Sequence, residues 1–198
     1  MAILRVGTGW TRPKGIKRWT GSAWTPVMGN LKYYNGSSWV DVTESGFDPS
    51  GELIRTTPTP LSQARYDLAG ASVGNYALFG GGGIYTGSFS TDYLSTVDAY
   101  NTSLTRTIPT ALSDDRYYLA GASVGNYALF GGGTSATSTV DAYNTSLTRT
   151  TPTALSQARH SLAGASVGNY ALFGGGSPSS STVDAYNTSL TRTPPTAL

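Results

Sequence analysis

The chain has no cysteine, a single histidine and only 12% charged residues over its 198 positions. Without cysteine there is no disulfide staple, no thiol chemistry and no cysteine metal site. One histidine, His160, leaves little for acid–base catalysis or metal ligation. No apolar run is long enough to cross a bilayer, and Met1-Ala-Ile-Leu-Arg-Val-Gly7 lacks the apolar core of a secretion signal, so neither membrane insertion nor a signal peptide is expected. No glycine run is followed by Lys-Ser or Lys-Thr, so Gly80 to Gly83 is not a phosphate-binding loop. What is abundant is Gly, Ser, Thr, Asn and Tyr. Hydroxyls and amides in place of charge suit an all-β protein at an extracellular or virion surface.

The residues present are organised as a tandem repeat. Leu61 to Gly81 returns as Leu112 to Gly132 and again as Leu155 to Gly175. Each copy leads into the same tail, Ser95 to Thr107, Ser138 to Thr150 and Ser181 to Thr193. The offset is 51 residues from Leu61 to Leu112 and 43 from Leu112 to Leu155, the extra residues lying between the glycines and Ser95. A period in this range means one supersecondary unit per repeat. Four segments of each unit read as strands. They are Leu68 to Val73, then Tyr76 to Phe79 (an apolar run suited to a strand buried on both faces), Thr96 to Tyr100, and Leu104 to Thr107. Gly74-Asn75 and Asn101-Thr-Ser103 supply turns, and Pro109 stops the sheet. Four strands in meander order every 43 or so residues predict an all-β fold of propeller-type blades.

Phe79-Gly-Gly81, Arg65 upstream and Val97-Asp-Ala-Tyr100 downstream resemble the kelch repeat. The pattern recurs at Phe130-Gly-Gly132 with Arg116 and Val140 to Tyr143, and at Phe173-Gly-Gly175 with Arg159 and Val183 to Tyr186. It departs from the kelch pattern in the fourth strand, where a tryptophan is usual and Leu104, Leu147, Leu190 or a neighbouring threonine stands. The resemblance covers residues 52–198 and implies three kelch-like β-propeller repeats. It also implies that Arg65, Arg116 and Arg159 line a ligand face, suited to an anionic sugar or acidic peptide; the alternative is that each pairs with a neighbouring aspartate or backbone carbonyl and braces the blades. Glu52 to Pro58 matches a fourth strand and precedes the first complete unit. Three units fall short of the four to eight typical of propellers. Closure is therefore expected from a homo-oligomer, from a longer array, or from unusual edge protection.

Residues 1–42 form a different module. Six basic residues (Arg5, Arg12, Lys14, Lys17, Arg18, Lys32) face one acid, Asp41, whereas residues 43–198 carry seven basic and ten acidic residues. Lys17 to Val27 matches Lys32 to Val42, with Trp19 answering Tyr34 and Trp24 answering Trp39. Thr20-Gly21 and Asn35-Gly36 read as hairpin turns between aromatic strands. Two hairpins cannot enclose a large core. Trp10, Trp19, Trp24, Tyr34 and Trp39 are thus candidates for docking, or else the module's own core. The string resembles aromatic hairpin repeats of bacteriophage tail and fibre proteins. The aromatic-rich, glycine-punctuated pattern favours a folded docking module over a nucleic-acid-binding arm, with other virion proteins as its expected partners. Residues 43–51 read as a linker.

Comparing repeats locates candidate function. Leu68 to Gly82 is identical in all three copies, while two regions vary. One is the entry to the first strand, residues 63–67, 114–118 and 157–161. The other is the loop after the glycines, residues 83–94, 134–137 and 177–180. Both are expected at one end of a meander, as in a binding face on a fixed scaffold, or as in exposed loops under relaxed constraint. Tyr66, Tyr117, Tyr118, His160, Tyr85 and Tyr93 would offer flat surfaces to sugar rings. His160 answers Tyr117 and Tyr66, which reads as a contact position and not a general base. The adjacent pair Asp114-Asp115 occurs once, and Asp98, Asp141 and Asp184 recur as structural acceptors. The sequence therefore predicts a non-enzymatic protein with no cofactor, no metal site and no catalytic residue. It is expected in a phage fibre or appendage, docked by its N-terminus and presenting a propeller face to a host-surface glycan or protein. The competing classes are an intracellular kelch-type adaptor for peptides and a propeller glycosidase.

Overall fold

The computed structural model describes the strand backbones of residues 17–19, 24–26, 32–34 and 39–41, and all of residues 57–87, 90–134 and 137–193. Among these residues all regular structure is β, and no helix is long and apolar enough to cross a membrane. The chain divides into two compact units, Met1–Thr57 and Pro58–Leu198.

The first unit contains two hairpins. β1 (Lys17–Trp19) pairs with β2 (Trp24–Pro26), and β3 (Lys32–Tyr34) with β4 (Trp39–Asp41). The register sets Trp19 opposite Trp24 and Tyr34 opposite Trp39. Trp10, the 43–51 linker and most of the Glu52 to Pro58 segment lie outside the described residues.

The second unit holds three four-stranded antiparallel meanders. The first is β5 (Ala69–Val73), β6 (Tyr76–Gly80), β9 (Val97–Tyr100) and β10 (Arg106–Thr107). The residues added in this copy form a separate hairpin, β7 (Gly83–Gly87) and β8 (Ser90–Tyr93). The second sheet is β11 (Ala120–Val124), β12 (Tyr127–Gly131), β13 (Val140–Asn144) and β14 (Arg149–Thr150). The third is β15 (Ala163–Val167), β16 (Tyr170–Gly174), β17 (Val183–Asn187) and β18 (Arg192–Thr193). The fourth strands are shorter than the sequence suggests. Leu104, Leu147 and Leu190 have φ of 58–60°, and Asn101 Oδ1 accepts from the amides of Ser103 and Thr105 at 3.0 Å. A local Asx turn thus takes the residues that the hydrophobic pattern assigns to a strand.

Consecutive sheets pack face against face through one repeated contact set. Apolar side chains from the first sheet (Val73, Leu78, Val97) form a core with Leu119, Phe130 and Tyr143 of the second. Val124, Leu129 and Val140 of the second do the same with Leu162, Phe173 and Tyr186 of the third. Glycines make the approach possible. A Cβ on Gly80 would sit 3.2 Å from the Phe130 ring, and one on Gly131 would sit 3.1 Å from Phe173. The first strands lie closer still, since a Cβ on Gly121 would come within 2.2 Å of the Gly70 carbonyl oxygen. Serines add cross-sheet bonds: Ser72 N donates to Ser123 Oγ at 3.0 Å and Ser123 N to Ser166 Oγ at 2.8 Å. Ala128, Leu129 and Phe130 are consequently all buried in the central sheet, as an unbroken apolar strand should be.

Gly121→Ala is expected to destabilise the second unit by about 1–3 kcal/mol through overpacking against backbone that cannot move aside. Gly87→Ala, where an added Cβ meets nothing within 4 Å, should stay within about 0.5 kcal/mol. Chemical denaturation of the two variants measures the difference.

Candidate functional site

The entry segment of each repeat is hydrogen-bonded to the loop after its glycines. Tyr66 N donates to Gly83 O at 3.0 Å and Gly83 N returns to Tyr66 O at 2.9 Å. In the second repeat Thr134 N donates to Tyr117 O at 2.8 Å, and in the third His160 and Ser177 exchange bonds of 3.1 and 2.8 Å. Neighbouring repeats are laced together at the next residue, with Tyr118 N donating to Asp67 O at 3.1 Å and Ser161 N to Tyr118 O at 2.8 Å. The two variable regions are therefore one continuous edge. Asp67, Tyr118 and Ser161 take φ of 52–55° there, a left-handed conformation costly for a side chain as bulky as tyrosine.

The six rings that the repeat comparison singles out, Tyr66, Tyr85, Tyr93, Tyr117, Tyr118 and His160, meet on this edge. Tyr85, 77% exposed on the added hairpin, stacks on Tyr66 with centroids 4.7 Å apart and planes at 21°. Tyr66 meets Tyr117 edge-on at 6.2 Å, and Tyr117 stacks on Tyr93 at 4.6 Å and 19°. Tyr117 also packs on Tyr118 at 4.2 Å, and Tyr118 lies 6.1 Å from the His160 ring. Offset and edge-to-face arrangements of this kind are the favourable ones for aromatic quadrupoles. The Tyr66 hydroxyl is fixed by a 2.8 Å hydrogen bond with Thr91 Oγ1. Removal from water and the neighbouring Tyr93 raise the Tyr117 hydroxyl above its ordinary pKa, and the Asp67 carboxylate does the same for Tyr118. The Tyr117 and Tyr118 hydroxyls therefore stay protonated throughout the physiological range. What the sequence did not reveal is the hairpin β7–β8, which reads as loop because Gly83 to Leu94 is rich in glycine, serine and threonine. It places Tyr85 and Tyr93 against rings of the first and second repeats.

Arg65, Arg116 and Arg159 lie elsewhere. Their side chains are buried and point into the sheets, so the guanidinium groups are not presented on the aromatic edge. Arg65 Nη2 lies 2.8 Å from Asp98, Arg116 pairs with Asp141, and Arg159 Nη2 lies 2.5 Å from Asp184. Arg116 Nη1 further donates to the carbonyls of Gly132 at 3.2 Å and Thr139 at 2.8 Å. Ser113 adds its amide at 3.1 Å and its hydroxyl at 3.0 Å to the Asp141 carboxylate. Each carboxylate also faces a second arginine from the fourth strand, with Arg192 Nη1 3.1 Å from Asp184. This is the bracing arrangement, one of the two roles the sequence allows for these arginines. Burial lowers the Arg116 pKa while Asp141 opposes the shift. The arginine's own carbonyl reaches the preceding sheet: Gly82 N donates to Arg116 O at 3.0 Å and Gly133 N to Arg159 O at 2.9 Å.

Beneath the same network, Tyr143 and Tyr186 donate to the carbonyls of Thr110 and Thr153, each at 2.8 Å. Burial first, and the Asp141 and Asp184 charges second, hold both hydroxyls well above the usual tyrosine pKa. No protein-family model matches the chain, and no curated protein matches it.

Asp141→Ala leaves Arg116 buried without its partner and is expected to cost about 3–5 kcal/mol. The double replacement Arg116→Met with Asp141→Leu should cost markedly less than the two single changes summed, which a double-mutant cycle in denaturant measures. The tyrosines set an alkaline limit. In the unfolded chain they ionise near pH 10, while native Tyr143 and Tyr186 stay protonated above that point. Stability is therefore complete below about pH 10 and falls as pH rises beyond it. In an absorbance titration two phenolates should appear only with cooperative unfolding; a single smooth curve for all tyrosines would contradict this.

Proposed function

We propose that the chain is a non-enzymatic binding protein whose aromatic edge holds a glycan or protein ligand on a host surface. In this reading the three meanders are kelch-like propeller blades. The basic hairpin module of residues 1–42 docks them to other proteins of a phage fibre or appendage. The observation that carries the reading is the merging of both variable regions into one continuous run of stacked rings above an invariant scaffold. Variation confined to a rigidly held edge is how one framework comes to serve different ligands. Tyrosine suits the task, because it gives large contact area for few frozen rotors and keeps a hydroxyl for directed hydrogen bonds.

Because the guanidinium groups are held inside the sheets, the ligand is selected by its apolar face and hydroxyls, not by a carboxylate. A pyranose ring, with an axial C–H face and equatorial hydroxyls, fits this better than a strongly anionic sugar or an acidic peptide. A glycan array probed with the full chain tests the reading. Binding to neutral hexose or N-acetylhexosamine glycans is expected. Tyr117→Ala and Tyr66→Ala should each weaken it at least about fivefold, the loss of roughly 1 kcal/mol typical of a ring at the centre of an interface. Absence of glycan binding, or binding indifferent to both substitutions, would refute the glycan reading.

A further inference from the structure

The three sheets form an open series whose two outer faces are the two halves of one contact. The contact occurs twice inside the chain, between the first and second sheets and between the second and third. On its forward side Phe130 and Phe173 are fully buried. The equivalent Phe79 of the first meander enters no sheet of the same unit among the described residues and is 37% exposed, beside Leu61, Leu68, Tyr100 and Leu104 in an apolar groove. On the receiving side Val73 and Val124 are each 2% exposed, whereas their equivalent Val167 in the third sheet is 60% exposed.

The glycines make the match specific. Gly80 and Gly131 are small because a phenylalanine ring of the next sheet lies 3.2 and 3.1 Å from the place of their Cβ. Gly174 is the third member of this set. Its backbone does not demand glycine, and an added Cβ would meet only Val183 Cγ2 at 3.4 Å. The slot is made and no ring of the described residues fills it. The same holds one turn away. Gly74 and Gly125 lie against Thr145 and Thr188, at 3.1 and 3.0 Å, while Gly168 meets nothing within 4 Å. The backbone repeats the pattern, since Gly82 N and Gly133 N donate to arginine carbonyls of the following sheet. For Gly176 N the corresponding acceptor is an Arg65 carbonyl, on the open face at the other end.

We infer that the occupant of each open face is the other open face of a second copy of this chain, with Phe79 of one copy seated over Gly174 of the other. Both halves are present on one molecule and are offset by three sheets, so a single copy cannot join them without closing on itself. Two copies meet head to tail at two equivalent interfaces and form a closed ring of six sheets. Six is the only multiple of three within the four to eight sheets typical of radial β assemblies. The count rests on the propeller reading above, while the interface rests on the repeated contact alone. Closure also removes the exposed apolar faces that would otherwise invite open-ended association.

Light scattering on the full chain tests this, with Phe79→Arg and Gly174→Arg as variants. The parent should have twice the 20.6 kDa chain mass. Each variant breaks both interfaces of a homodimer and should weaken association at least about a hundredfold, the effect of losing a buried phenylalanine. Gly174→Arg should not lower the melting temperature of the monomer, because its side chain projects into open space. A mixture of the two variants retains one intact interface, Phe79 from one copy over Gly174 from the other, and should recover the dimer. A monomeric parent, a dimer that survives both substitutions, or a mixture that stays monomeric at every concentration would overturn the inference. A trimer broken by both substitutions would overturn the six-sheet ring while leaving the glycan reading intact.

Discussion

The buried arginine–aspartate pair is the interaction on which each repeat depends. A guanidinium group enters the sheet from the segment before its first strand and meets a carboxylate on the third strand. In the second and third repeats it also binds carbonyls in the glycine turn and just ahead of that strand, so one side chain ties the entry segment to the paired second and third strands, while Arg65 makes one such bond, to Phe79 O at 3.0 Å. The arrangement carries a desolvation cost that the pair alone repays poorly. In the second repeat it is offset because Asp141 Oδ2 takes the Ser113 amide and hydroxyl and both Arg116 Nη atoms bind carbonyls, whereas Arg116 Nε and Asp141 Oδ1 have no hydrogen-bond partner among the described residues. The planar, multidentate fork of arginine serves this geometry in a way lysine would not.

From that brace follows the placement of the aromatic edge. The residue after each arginine is Tyr66, Tyr117 or His160, and the next takes a left-handed backbone. With the arginine anchored below, its neighbour is held at the rim and bonded to the loop beyond the glycines. Sequence variation at these positions therefore changes the rings on display without disturbing what supports them. Packing between sheets is equally modular. Glycines facing phenylalanines, and serines bonded along the first strands, recur at both internal interfaces because the sequence recurs.

Much of this is legible in the chain itself. The repeat, the four-strand meander and the joining of the two variable regions follow from comparing copies, since strand order and turn residues are local properties. The six aromatic positions are visible in the same way. The role of Arg65, Arg116 and Arg159 is not, because a persistent arginine in a variable segment reads equally as ligand contact or as brace. Only the approach of Asp98, Asp141 and Asp184, about 25–33 residues further along the chain, decides between them. The hairpin of Gly83 to Tyr93 was hidden because glycine, serine and threonine signal loops, although Ile84 and Tyr85 alternate as a strand would. The short fourth strands were hidden because a leucine in a left-handed turn has no sequence signature of its own.

Native-state hydrogen exchange bears most directly on the central role of the arginines. Ser113 N donates to the Asp141 carboxylate, and Gly82 N and Gly133 N to arginine carbonyls, all outside any strand ladder. If the braces hold the repeats together, these three amides exchange only through global unfolding, as slowly as Leu129 in the central sheet. Exchange at the rate of exposed turn amides, with the strands still protected, would contradict that account.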